Sequence, residues 1–174
     1  GSEMCIRDSE TTETKDVGLL ANLLGADGNN AELLHCAGGG SAAPATPDSL
    51  REGKHFLRMN GKEVFRHAVR VMSESCERVL AKAGVKSDQV AWFIPHQANI
   101  RILEAVASQL NVDMARFPSN LGRYGNTSAA SIPLALEEAW RDGKIKHGDL
   151  VLIVAFGAGL TWGATLLRWH EPTR

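Results

Sequence analysis

Three short stretches hold the side chains of this sequence that could do chemistry: WFIPHQAN at residues 92–99, NLGRYGNTSAAS at 120–131 and AFGAGLTWGA at 155–164. In the first, an apolar run ends on Pro95 and presents His96 just where a helix is about to begin. The positive end of a helix dipole disfavours imidazolium, so His96 should be neutral and able to donate one hydrogen bond. It could equally be a histidine satisfied by capping that helix. In the second stretch Asn126 offers an amide donor, or simply an N-cap. The Ser128-Ala129-Ala130-Ser131 run after it is small enough for a ligand, or only a neighbouring helix, to come close. In the third, Gly157-Ala158-Gly159 can turn backbone N–H groups outward toward an oxyanion, although glycine-rich hairpin turns also exist for geometry alone. Taken together, a neutral imidazole, an amide and a backbone N–H are equipment for stabilising a negative oxygen. No nucleophile stands beside them.

The elements that must position these groups can be read from apolar spacing. A strand is expected over 17–24, then a Gly/Ala/Pro/Ser-rich surface connection from about Gly38 to Gly53. Val64, Phe65, Ala68, Val71, Met72, Val79 and Leu80 recur at helical spacing within 61–83, with Gly84 as the stop. A strand over 90–94 leads to a helix over 97–110, a short strand is expected at 114–118, and a third helix at 129–140 has Pro133 near its start. Strands over 150–156 and 160–169 lie too close together for a crossover and form an antiparallel hairpin. Strands alternating with long helices give an α/β fold with a largely parallel sheet, whose ligands belong beyond the carboxyl ends of the strands.

The totals narrow the class. A chain of 174 residues with 44% apolar and 22% charged side chains suits one ordinary globular domain. The net charge of −1 provides no global field for nucleic acid or an anionic membrane. Residues 151–156 are the most apolar run and are far too short to span a bilayer. The three cysteines, Cys5, Cys36 and Cys76, lack metal-ligand or CxxC spacing, which points to reduced thiols, a cytoplasmic setting and no metal site. Residues 1–15 are polar and aperiodic and are expected to be an adventitious or disordered leader to a domain over 16–174.

PHQANIRI, NLGRYGNTSAASIPLALEEAWRDGKIKHGD and LVLIVAFGAGLTWGATLLRW, in that order, resemble the C-terminal half of β-ketoacyl-[acyl carrier protein] synthase III. Asn126 lies 30 residues after His96, as in that family, and ADGNNAELL and MNGKEVFRHAV fit it too. The pairing of HQAN with GNTSAAS is specific, since chalcone-synthase relatives differ around both residues and elongating ketosynthases use two histidines.

The resemblance implies half of a thiolase-like fold, βαβαβαββ, with a mixed sheet between helices. It also implies condensation of an acyl-CoA, typically acetyl-CoA, with malonyl-[acyl carrier protein] to start fatty acid synthesis, with no cofactor beyond these substrates. His96, Asn126 and Ala158 would be the catalytic donors, while Gly61, Asn99 and Phe156 would line the substrate tunnel. Gln97, Ala98, Asn99, Ile100, Arg101 and Arg66 would meet the acyl carrier protein. A missing N-terminal half and a homodimer in the complete enzyme are the other implied partners.

Two departures stand out. The family's nucleophilic cysteine is absent, none of the three thiols having its surroundings, so this fragment should be inactive alone. Ser108-Gln109 also replace a basic pair found in some relatives. The alternatives are an acyl-priming relative from secondary metabolism and a non-catalytic carrier-protein-binding subunit.

Overall fold

The computed structural model describes residues 13–14 and 16–170; Cys5 and nearly all of the expected leader lie outside these. A four-stranded sheet carries the fold, built from β1 (Gly18–Ala26), β4 (Trp92–Pro95), β5 (Leu150–Gly157) and β6 (Thr161–Arg168). Its order is β1-β6-β5-β4. β6 pairs antiparallel with both β1 and β5, whereas β5 pairs parallel with β4. The expectation of a largely parallel sheet therefore holds for direction, since β1, β5 and β4 run the same way, but not for pairing. β6 returns directly from β5 and inserts beside β1, leaving one parallel ladder.

Both faces of this sheet are covered, which is why β5 reads as an unbroken apolar run. On one face lies α2 (Gly61–Ala83), packed across β1, β5 and β6. Asn60 caps it by accepting the Glu63 N–H at 3.3 Å, and Gly84 ends it with a φ of +66°, where the chain turns left-handed at no side-chain cost. Its buried Val64, Ala68, Val71, Met72, Val79 and Leu80 meet Phe93, Leu152, Val154 and Leu166. α3 (Ile100–Gln109) packs beside it through Ile102 and Val106. On the opposite face α5 (Ser131–Arg141) lays Ala135, Leu136 and Ala139 against Ile94 and Val151. Pro133 sits in its first turn, where a missing N–H costs nothing.

Several expected boundaries move. β1 runs on through Gly25, because Trp162 crosses at that point and a Cβ there would lie 2.4 Å from its ring. Residues 97–99 are not helical: Asn99 is extended and caps α3 by accepting the Arg101 N–H at 2.9 Å. The strand expected at 114–118 is a 3-10 turn, Met114–Arg116, initiated by the Asp113 carboxylate accepting the Ala115 N–H at 2.8 Å. The third helix splits into a 3-10 turn at Ser128–Ala130 followed by α5, and a single helical turn, α4 (Leu121–Tyr124), precedes both. The connection over 38–53 is exposed as expected, but carries a short helix, α1 (Pro47–Arg51). A two-stranded sheet, β2 (Leu34–Cys36) with β3 (Leu57–Met59), brackets it and had no signal in the apolar pattern.

Phe93 is fully buried, stacks on Phe117 with ring centroids 5.0 Å apart, and lies beneath the Arg116 guanidinium. It ties β4, at the edge of the sheet, to the loop after α3. Phe93→Ala should therefore cost about 3–5 kcal/mol. Urea unfolding would show this as a lower midpoint at unchanged slope; a wild-type midpoint would mean the loop closes the cavity.

Candidate active site

β4 and β5 end on the same edge of the sheet because they are parallel: Pro95 lies opposite Val154. The ladder continues one residue further, with the His96 N–H donating to the Val154 carbonyl at 2.8 Å. His96 is thus held by backbone bonds at the carboxyl edge, three residues short of the point where β5 gives out at Gly157. There the chain turns through exposed Ala158 and Gly159. The turn is fastened from two sides. Leu160 and Asp27 exchange backbone hydrogen bonds of 2.8 and 3.0 Å, and the Thr161 hydroxyl donates to the Ala158 carbonyl at 3.1 Å. The Ala158 N–H has no acceptor among the described residues.

The second cluster reaches the first through one side chain. Ser131, the first residue of α5, is fully buried, with its Oγ 2.6 Å from His96 Nδ1. The same oxygen accepts the Gln97 N–H at 3.1 Å. Asn126 lies five residues before this junction and is exposed. Its side-chain oxygen accepts the Ser128 N–H at 2.9 Å, holding the tight turn at Thr127 and Ser128, so the cap expected of Asn126 is made to this turn and not to α5. Its amide nitrogen is left to donate. The approach to Asn126 is anchored by Glu138 of α5, a buried carboxylate that accepts the Asn120 amide at 3.2 Å and the Arg123 guanidinium at 2.7 Å.

The imidazole is half-buried, and burial holds its pKa below the ordinary histidine value. Neutrality at the site therefore comes from desolvation; α3 begins only at Ile100, too far on for the dipole effect expected from the sequence to dominate.

The remaining expected site residues separate by surface. Gly61 opens α2 and is exposed, and Arg66 is exposed one turn further along, paired with Glu63. Arg101, exposed on α3, sits with its guanidinium carbon 6.0 Å from the centre of the Phe65 ring, which brings the two basic positions to neighbouring helices. The apolar spacing places Phe65 only in the helical series of α2, with no sign of this contact. Asn99 and Ile100 are exposed and Ala98 is half-buried. Gln97 is a correction: it is 0% exposed, and its amide donates to the Pro95 carbonyl at 2.8 Å. It supports the loop from beneath, because its amide reaches inward to the carbonyls of Pro95 and, at 3.4 Å, Pro118, and so buried it cannot meet a carrier protein. Phe156 is buried among the residues under α2. Cys76 is also buried in that core, which pushes its thiol pKa up, and Cys36 packs against the His55 carbonyl. No hydrogen bond joins either thiol to His96, Asn126 or the Ala158 turn.

Residues 80–169 match the family model described as the 3-oxoacyl-[acyl-carrier-protein] synthase III C terminal. The chain is 51% identical over 152 residues to β-ketoacyl-[acyl-carrier-protein] synthase III of Roseiflexus castenholzii, covering 87% of this chain and 46% of that protein. The crystal structure of 3-oxoacyl-[acyl-carrier-protein] synthase III from Aquifex aeolicus superposes with a TM-score of 0.80 at 46% identity, over 91% of this chain and 47% of that one. The priming β-ketosynthase of a polyketide biosynthetic pathway superposes with a TM-score of 0.75 at 32% identity, over 90% of this chain and 46% of its own. The chain thus spans about half the length of the relatives it matches.

The depressed pKa of His96 has a measurable consequence. In the unfolded chain the ring takes up a proton near the ordinary value of about 6.5, whereas the folded chain resists it to lower pH. This group therefore leaves stability untouched well above that value and removes it as pH falls from about 6.5 toward the folded pKa. His96→Gln should flatten that part of the decline in urea midpoint; a decline as steep as in the wild type would show that the ring ionises as freely folded as unfolded.

Proposed function

The chain belongs to the 3-oxoacyl-[acyl-carrier-protein] synthase III C-terminal family, and we propose that it is the donor-bearing half of a condensing enzyme that joins an acyl-CoA primer to malonyl-[acyl carrier protein]. The observation that carries this reading is that His96, at the carboxyl end of the parallel β4–β5 pair, is hydrogen-bonded to Ser131, five residues after Asn126, while the exposed Ala158 turn follows β5 itself. Such a set suits two successive oxyanions. The imidazole N–H and the Asn126 amide donate to the malonyl thioester oxygen, which becomes an enolate oxygen as the carbon–carbon bond to the carboxylate breaks and CO2 leaves. The enolate carbon then attacks an acyl-cysteine thioester carried by the complementary half. Its tetrahedral oxyanion rests on the Ala158 N–H until the cysteine thiolate departs, leaving a 3-ketoacyl carrier protein.

The chain's proportions support a complementary half, as it corresponds to about half of each relative. So does its surface: Leu24 of β1 is 85% exposed and Leu57 of β3 is 71% exposed, with Leu19, Phe56 and Met59 open as well. Apolar side chains displayed in that number belong against another polypeptide. Acyl transfer needs the absent cysteine, so the isolated chain should perform none.

Arg66 and Arg101, exposed on adjoining helices, suit an acidic carrier protein or its phosphopantetheine, with Asn99 and Gly61 assigned to the path of the pantetheine arm. Gln97 supports that surface from below. A priming role in polyketide assembly is the second reading, favoured by the likeness to the priming β-ketosynthase but at lower identity than the fatty-acid relatives. A purely binding subunit would have no use for both donors.

Two measurements test the proposal in the chain joined to a cysteine-bearing N-terminal half. His96→Ala should slow CO2 release from malonyl-[acyl carrier protein] by about 10²–10³-fold while leaving acyl transfer to the cysteine measurable; undiminished release would sink the assignment. Arg101→Glu should raise KM for the carrier protein with little change in KM for acyl-CoA. An unchanged carrier KM would remove Arg101 from the docking surface.

A further inference from the structure

We infer that Ser131 sets the tautomer of His96, donating its hydroxyl proton to Nδ1 so that the single N–H of the neutral ring is carried on Nε2. Ser131 is then a positioning residue for the donor role proposed for His96. Its importance for catalysis rests on that reading; the tautomer itself does not.

The argument is an accounting of one buried proton. Ser131 is 0% exposed, so its hydroxyl has no bulk water to bond. One of its lone pairs is taken by the Gln97 N–H at 3.1 Å, a donor whose direction is fixed by the backbone. Nδ1 of His96 lies 2.6 Å from the same oxygen. Two arrangements remain. Either the hydroxyl donates to a bare Nδ1, or Nδ1–H donates to the oxygen and the hydroxyl proton must go elsewhere. Among the described residues Ser131 Oγ has no other hydrogen-bond partner.

The usual outlet for a serine in a helix is the carbonyl four residues back. Here that is Thr127, and Ser131 Oγ makes no hydrogen bond to its carbonyl, unlike buried Ser75, which donates to the Val71 carbonyl at 2.6 Å. The second arrangement would strand a fully buried donor, which folded proteins rarely tolerate. The first leaves nothing unpaired.

The direction of this bond matters for chemistry. With Nδ1 occupied as an acceptor, the far side of the ring carries the proton and can donate to an oxygen. In the reverse tautomer Nε2 would be a lone pair facing that oxygen, and would repel it. The half-buried setting keeps the ring neutral, but neutrality alone leaves the choice of nitrogen open. Ser131 makes the choice, from the first turn of a helix on the other face of the sheet.

The test reads the tautomer directly in this chain, with no partner half. With ¹⁵N-histidine and His96→Gln to assign the ring, long-range proton–nitrogen correlation at about pH 8, above the ordinary imidazole range, should show a bare Nδ1 and a protonated Nε2 for His96. Ser131→Ala should bring the two nitrogen signals toward each other as the tautomers mix, and Ser131→Thr, which keeps the hydroxyl, should restore the wild-type pattern. A protonated Nδ1 in the wild type, or an unchanged pattern in Ser131→Ala, overturns the inference. Should Ser131→Ala not fold, the wild-type pattern together with Ser131→Thr decides it. If Nε2 carries the proton and His96→Ala still releases CO2 at full rate in the joined enzyme, the proposed function fails and the tautomer assignment stands.

Discussion

Four residue pairs of parallel ladder between β4 and β5 carry the site. Parallel neighbours end on the same edge, so the loop that follows β4 and the turn that follows β5 emerge side by side. An antiparallel pairing would have put His96 and the Ala158 turn at opposite ends of the sheet. The parallel pairing in turn requires a covered crossover, and α3, the loop after it and α5 supply one before β5 begins. It also requires burial on both faces, which α2 and α5 provide from opposite sides. The apolar mass of this domain is therefore arranged around a ladder only four residues long.

Onto that edge the structure brings groups by different physical means. His96 is held by the sheet's own backbone bonding, and the Ala158 turn by its exchange of bonds with Asp27. The Asn126 turn is held indirectly. Ser131 pins the start of α5 to the His96 loop, and Glu138, one face of the same helix further on, grips Asn120 and Arg123. A buried carboxylate with two donors is well suited to this, since losing the Arg123 guanidinium would leave it without its ion-pair partner. α5 is thus both a core helix and the clamp of the segment that carries Asn126. Such a division of labour fixes the backbone around these groups while leaving Asn126, Ala158 and Gly159 themselves exposed.

Much of this was legible in the residues. The helical spacing of 61–83, the proline at the start of the third helix, the terminal hairpin and the three polar clusters all have strong local causes: periodicity, a missing N–H, glycines at a turn. The failures share a cause as well. Met114–Pro118 has strand-like composition, but Asp113 turns the backbone before pairing can begin. Gln97 reads as an exposed polar residue because nothing nearby announces that its amide will reach back to the Pro95 carbonyl. The β2–β3 pair is too short and too exposed to show an alternating pattern.

What the sequence determined by itself is therefore the inventory: which residues could donate to an oxyanion, in what order and on which kinds of element. Those properties are set by side-chain chemistry and by neighbours a few residues away. Only the tertiary structure decided what the donors are to one another. Ser131 stands 35 residues from His96 in the chain and touches it in space. Its role as a hydrogen-bond partner exists only because a helix on one face of the sheet begins where a parallel strand ends, and a contact between distant segments leaves no periodic trace along either of them.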